Sequence, residues 1–414
     1  MSKYDKASLV MIPSAYKAEK LYSVLPENGN GDFTHDRNAG TATRVNKDGL
    51  IETVAADVPR LDYPLIDGVV QDCPSLLLEP ARTNLITKSE DFLEWNDQST
   101  ITVTSDNAVS PDGTQNADKL TAGNEGAAKR ILFTTVSSTV YTVSIFLKNI
   151  DSVQSRIEIY GSPSANIEID WDSYTPSTKS SSTFTDIAYS SYGDNWWRVT
   201  AKFTATGTSN NFYVYPDRVD ASNSIYTWGA QIEAGSYPTS YIPTSGSVVT
   251  RNADVCNSAG TSAEFNDSEG VLYLQTSMLS SNPDNSTFQI DDGTSTNRVR
   301  IRFTTTTNQI NGLLFSNVSG QPNIDYTAND VTNQNKVAIR YQVGQIDLFF
   351  NGFEVGTITG NATPTGFNNL SLGTEGIVKE VIAFNEALSD TELEALTSYD
   401  SFTEMATEQL YTIE

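Results

Sequence analysis

Residues 141–148, YTVSIFLK, alternate strictly, with Tyr141, Val143, Ile145 and Leu147 on one face and Thr142, Ser144, Phe146 and Lys148 on the other. Successive strand side chains point to opposite sides, so this pattern describes a strand with one face in a core. Similar short segments recur at RIEIYG (156–161), NIEIDW (166–171), WWRVTAKFTA (196–205), NFYVYP (211–216) and IYTWGAQIE (225–233). Turn residues such as Gly161-Ser162-Pro163 and Gly193-Asp194-Asn195 separate them. That punctuation, roughly every 8–12 residues, is the spacing of a β-sandwich. A second set runs from GVLYLQTSM (270–278) to VKEVIAFN (378–385), and Asn351-Gly352 within it is the strongest hairpin signal of the chain. One helix is expected, in ALSDTELEALTSY, where Ser389 and Glu392 make a capping box and Leu393 and Leu396 an apolar stripe. The fold class is all-β: two tandem β-sandwiches, a jelly roll and then a second sandwich, after an extended N-terminal segment.

With 414 residues the chain is long enough for two domains and smaller segments. Residues 1–84 contain a hairpin signal in TATRVNKDGLIETV and Pro-bounded extended stretches, with too little alternating apolar surface for a core of their own. Residues 85–235 form the first sandwich and 265–400 the second. Between them, 236–264 is a Pro/Tyr/Gly-rich joint in which Tyr237, Pro238, Tyr241 and Pro243 set the angle of departure, with Trp228 closing the first core. Proline fixes φ and restricts its predecessor, so this stretch is stiff connecting chain. Residues 401–414 are an acidic tail: from Glu380 onward the chain has nine acidic residues and no Lys or Arg.

Acidic residues outnumber basic ones 51 to 26, a formal net charge of −25 that repels nucleic acid and anionic lipid. No apolar run approaches about 18 residues, and the first residues lack the apolar core of a signal peptide, so no membrane insertion is expected. Cys73 and Cys256 read as free, partly buried thiols of a protein that folds in a reducing cytosol.

Three stretches carry a resemblance. TATRVNKDGLIETV with VPRLDY and CPSLLLEPARTNL resembles the N-terminal part of a group of bacteriophage tail-fibre and appendage proteins. The stretch from TNLITKSEDF through WWRVT to WGAQIEAGSYPTSYIPTSGSVVTR resembles their central, carbohydrate-binding-module-like jelly roll. FNGFEVGTI with VIAFNEALSDTELEAL is similar to a concanavalin A/laminin G-like sandwich. The resemblance implies a virion structural protein made in the host cytoplasm, a homotrimer held to other virion proteins through residues 1–84 and involved in host-surface attachment. A receptor-binding lectin, a head fibre and a capsule depolymerase are the alternatives. Thr34-His35-Asp36-Arg37 departs from the family, which tends to run an apolar-aromatic pair there.

Chemistry is sparsely provided for. His35 is the one histidine, which leaves Ser-His-Asp and Cys-His nucleophiles and multi-histidine zinc sites without their imidazoles. Glu158, Glu168 and Asp170 are acids on expected strands, but among 51 acids such pairs arise by chance. No catalytic residue is assigned and no enzyme is expected. A host glycan would need an exposed aromatic face beside polar groups. Trp197 shares parity with Val199 and Phe203 and belongs in the core, whereas Trp196 and Arg198 fall on the polar side and are the candidate sugar-binding pair. The resemblance also admits a structural Ca2+, for which Asp284, Asp291, Asp292, Asp325 and Asp330 are loop-rich candidates without EF-hand spacing.

Overall fold

The computed structural model describes residues 3–38, 42–316, 323–360 and 362–401. Two six-stranded antiparallel sheets build the first sandwich. One runs in space Asn96–Gln98, Ala128–Thr134, Ser209–Tyr215, Gln154–Tyr160, Ala165–Asp172, Thr175–Ser182. The other runs Ile101–Val109, Gln115–Ala122, Ser224–Ala234, Val140–Asn149, Trp197–Thr204, Thr185–Ser191. Val143, Ile145 and Leu147 meet Ile157, Ile167 and Phe212 between the sheets, on the face that the alternation of 141–148 predicts. Strand Ser224–Ala234 continues through Gly229, where the register against Val140–Asn149 shifts. Gly229 has φ +63°, and a Cβ there would lie 2.8 Å from the Phe146 ring, so glycine serves both the bulge and the close approach.

The second sandwich packs a nine-stranded sheet on the five-stranded sheet Asn323–Thr327, Gln309–Ser316, Asn297–Phe303, Ser286–Asp291, Asn369–Ser371. Four strands of the larger sheet come from residues 1–84: Leu9–Lys17, Lys20–Leu25, Leu61–Asp62 and Ser75–Leu78. The strand Gly376–Phe384 pairs with Gly270–Ser277 along one edge. Its other edge takes Leu9–Lys17, with Val10 opposite Ile382, and then Ser75–Leu78, with Leu77 opposite Ile377. Leu9, Met11, Leu76 and Leu78 are buried in the same core as Leu272, Ile301 and Leu348. The N-terminal segment therefore does not extend away from the sandwiches. It has no core of its own, as its composition requires, and borrows one from the far end of the chain.

The same segment reaches the first sandwich. Its hairpin Ala42–Val45/Ile51–Val54 lies over the outer face of the sheet that contains Val140–Asn149. There Ile51 closes a small second core with Ala117, Phe146, Trp196, Trp228 and Tyr241. Trp228 is thus buried, but outside the sandwich core in which the sequence places it. The helix Asp390–Thr397 forms as expected, with the Ser389–Glu392 capping box, and Leu393 and Leu396 cover the outer face of the nine-stranded sheet beside Val271 and Phe349. Of the expected acidic tail, only Ser401 is among the described residues.

Where the two sandwiches meet, three arginines and two carboxylates are buried together. Arg60 Nη1 donates to Glu79 Oε2 at 2.6 Å, and its Nη2 is paired with Asp254. Arg251 is paired with Glu79, and Arg37 Nη1 donates to Asp254 Oδ1 at 3.0 Å. Ser240 completes the cluster, its amide donating to Glu79 Oε1 at 2.7 Å and its hydroxyl to Oε2 at 2.6 Å. Arg60 and Arg251 have no exposed surface, and Glu79 is 2% exposed. Residues 37, 60 and 79 belong to the N-terminal segment, and 240, 251 and 254 to the joint. The joint is welded in place.

Burial opposes ionisation of Glu79, but Arg251 and Arg60 hold its carboxyl well below its ordinary 4.5. Its contribution to stability is therefore complete above that value and is lost as the pH falls through the acid range. Glu79→Gln leaves two buried guanidiniums without their shared carboxylate. It should lower the unfolding free energy by about 3–5 kcal/mol at neutral pH, read from urea denaturation, with the deficit shrinking in acid.

Candidate functional site

Neither Trp196 nor Arg198 offers a surface to a sugar. Trp196 is 2% exposed, and its Nε1 donates to the Val109 carbonyl at 3.0 Å. It does lie on the outer side of its sheet, as parity predicts, but the hairpin 42–54 covers that side. Arg198 is 7% exposed and spends its Nη2 on Ser144 Oγ (2.9 Å) and the Thr239 carbonyl (2.7 Å). Tyr241 packs on Trp228 with ring centroids 4.6 Å apart and donates its hydroxyl to Glu90 at 2.8 Å. Tyr237 is buried with the Arg82 guanidinium 5.3 Å from its ring centre, and Pro243 is half-buried. Arg198, Tyr237 and Pro238 also border a cleft of about 420 Å³ between the first sandwich and the loop 279–282 of the second.

Trp197 proves the more available indole. It packs only at the rim of the core, half-buried, with Nε1 donating to the Tyr174 carbonyl at 2.9 Å. Its strand pairs with the edge strand Thr185–Ser191, and the short hairpin Leu65–Ile66/Val69–Val70 leans over both. Asp67 and Gly68 make the turn with φ +49° and +78°, the two positive values a tight two-residue hairpin needs. A Cβ on Gly68 would meet Ser191 Oγ at 2.4 Å, so the hairpin tip sits hard against the sandwich. Between them lies a cleft of about 480 Å³ lined by Asp62, Tyr63, Ile66, Tyr189, Ser191 and Trp197. Aromatic walls with hydroxyls at the rim and the Asp62 carboxylate at the floor suit a small polar ligand with apolar faces, and the volume is that of ordinary ligand sites. The turn Asp67-Gly68 is the sequence signal for this cleft. It lies between two-residue strands, too short for alternation to show.

Asp62 anchors the floor of the cleft and accepts the Val45 amide at 2.8 Å. Burial pushes its carboxyl up to about 6, against the pull of that amide and of Arg60.

The remaining candidates do not converge. Arg156 pairs with both Glu158 (3.1 Å) and Glu168 (3.2 Å), which holds these acids as its charge partners. Asp292 accepts from Thr294, Thr296 and Asn297, Asp330 from Thr332, and Asp325 from Asn311, each within a local turn or strand pair. Asp291 is buried and Asp284 exposed. Among the described residues no three carboxylate, His or Cys side chains gather at one place, so these aspartates do not converge on one another. Thr34–Asp36 pairs with Val255–Asn257, which places His35 Nε2 3.8 Å from Cys256 Sγ. Burial pushes the thiol well up and the imidazole down to about 4, so the pair is neutral and holds no thiolate. Both cysteines are free; Cys256 is buried, but Cys73 is exposed rather than partly buried.

No family model matches the chain, and no curated protein does. Among solved structures, CBM40 of the Ruminococcus gnavus IT-sialidase, bound to α2,3-sialyllactose, is 19% identical over 32% of this chain and 83% of its own, with a TM-score of 0.28. The binding domain of botulinum neurotoxin serotype D is 11% identical over 35% of this chain and 40% of its own, at 0.29. Domain 4 of AbnA, a GH43 extracellular arabinanase from Geobacillus stearothermophilus in complex with arabinotriose, is 11% identical over 35% and 73%, at 0.28. Likenesses this faint assign no ligand.

Asp62→Asn should stabilise the protein. Between the ordinary 3.8 and about 6 the folded state keeps a proton that the unfolded chain releases, so stability falls as pH rises through that window. The amide removes that penalty while its oxygen can still accept from Val45. Thermal and urea unfolding should show a gain on the order of 2 kcal/mol at pH 7 and none at pH 4.

Proposed function

We propose that this protein is a non-catalytic structural component of a bacteriophage virion, a tail-fibre or appendage module that takes part in host-surface attachment. The virion reading rests on the three stretches of sequence resemblance. The attachment reading is carried by one observation, the cleft in which Trp197, Tyr189 and Tyr63 stand beside Asp62 and Ser191. Indole and phenol rings stack on the C–H faces of sugars, and the carboxylate and hydroxyls supply hydrogen bonds to their rims. The buried ion-pair weld between the sandwiches suits an appendage that must hold such a cleft at a fixed orientation. Contact with other virion proteins would fall to exposed apolar groups of residues 1–84 away from the cleft, such as Tyr22 and Val24, which are 39% and 41% exposed. A homotrimer is proposed on the resemblance alone.

Antibodies raised against the purified chain should decorate an external fibre or appendage of intact particles in immunogold electron microscopy. Label confined to particle-free lysate would overturn the virion assignment. The purified chain should also bind host cells and compete with particle adsorption, and Trp197→Ala should weaken that binding about tenfold or more while the melting transition stays cooperative. Undiminished cell binding by a folded Trp197→Ala protein removes the cleft from the mechanism.

A further inference from the structure

The strand Asn297–Phe303, NRVRIRF, sends Val299, Ile301 and Phe303 into the core of the second sandwich and leaves Arg298, Arg300 and Arg302 on the outer face of the five-stranded sheet. Alternate strand residues stand about 7 Å apart, so the three side chains form a stripe about 13 Å long. All three Nε atoms are buried without a hydrogen-bond partner, and no carboxylate lies within ion-pairing distance among the described residues. Cross-strand neighbours explain this isolation. Asp291 stands opposite Arg298, but it is buried and already accepts from Gln289 (2.7 Å), Asn369 (2.8 Å) and the Gly293 amide (2.8 Å). Gln289 and Leu313 flank Arg300, while Thr287 and Asn311 flank Arg302. Asn311 donates to Asp325 at 2.8 Å, and its Oδ1 is buried without a partner. Phe315 lies under Arg298, whose guanidinium is 5.5 Å from the ring centre.

Burial and the neighbouring Arg302 and Arg298 push the Arg300 guanidinium down to about 10, so it is still charged at neutral pH and is repelled by both neighbours. In a chain of net charge −25, three adjacent cations with no acid partner among the described residues are an unbalanced local feature.

We propose that this stripe binds an anionic polysaccharide, with carboxylate or sulfate groups of successive sugars meeting Arg298, Arg300 and Arg302. A guanidinium fork matches either anion in a bidentate geometry. Phe315, only partly buried beside Arg298, gives the sugar ring an apolar flank. Nucleic acid fits less well, because its dense backbone charge meets the field of the whole acidic protein. The inference rests on the host-attachment reading and gives it a second, chemically distinct contact on the other sandwich.

Binding of the full chain to polygalacturonate (carboxylate), dextran sulfate (sulfate) and neutral dextran tests it by isothermal calorimetry without cells or particles. The wild type should bind at least one anionic polymer, more weakly as salt rises, and should not bind dextran. Arg298→Gln/Arg300→Gln/Arg302→Gln should lose about tenfold or more in affinity while melting at the same or a higher temperature, since like-charge repulsion is relieved. Equal binding by the variant, or equal binding of dextran, overturns the proposal. So does sedimentation that shows a wild-type oligomer dissolved by the triple substitution, which would assign the stripe to a contact between copies. Trp197→Ala leaves this assay unchanged, so failure at the stripe and failure of the cleft reading are read separately.

Discussion

Arg60 is the side chain around which this molecule is assembled. Its guanidinium is entirely buried between Glu79 and Asp254, each of which holds a second arginine, Arg251 or Arg37. A buried charge without a partner costs several kcal/mol, so none of these five groups can be placed until the others are. The five come from sequence positions 37 to 254, and a chain that satisfies them has already brought its N-terminal segment against the joint. Once that is done, Leu9–Lys17 and Ser75–Leu78 lie along the free edge of Gly376–Phe384, and the hairpin 42–54 lies on the first sandwich. Polar specificity and apolar burial therefore point to one arrangement of the two sandwiches.

Much of the fold was readable where one face of a strand is buried and the other is not. The 141–148 alternation, the Asn351-Gly352 turn and the Ser389 capping box all fall where local sequence puts them. Strands with two exposed faces were invisible for the same reason. Thr175–Ser182 is almost wholly exposed at the edge of its sheet and has no apolar period to read. The strands of residues 1–84 failed differently. Leu76, Leu77 and Leu78 are all buried, a run that alternation cannot assign, and the strand they pair with lies at the opposite end of the chain.

The tryptophans show the limit most sharply. Parity separates the side chains of Trp196 and Trp197 correctly, one to each face of the sheet, but the outer face of a sheet is solvent only if nothing is laid on it. Here the hairpin 42–54 is, and Trp196, Trp228 and Tyr241 become a second core. Trp197, on the inner face, reaches the open end of the sandwich and is left half-exposed. Which indole meets solvent was decided by long-range packing, and no window around residues 196–197 contains that information. Thr34-His35-Asp36-Arg37 reads as a departure for a related reason: its neighbours are Val255–Asn257 and the buried acids, all remote in sequence.

The arginines divide into two populations, and the contrast bears on function. Arg37, Arg60 and Arg251 are buried and each has a carboxylate, so their positions follow from stability alone. Arg298, Arg300 and Arg302 are half-buried, mutually repulsive and without one among the described residues, although acids outnumber bases 51 to 26. A lysine or glutamate in their place would forfeit no hydrogen bond within the sheet, and only the contact of Arg298 with the Phe315 ring would be lost. Stability accounts for the first set and leaves the second unexplained. An unpaired guanidinium row on a sheet face is intelligible as one half of an interaction whose other half is an anion outside the chain.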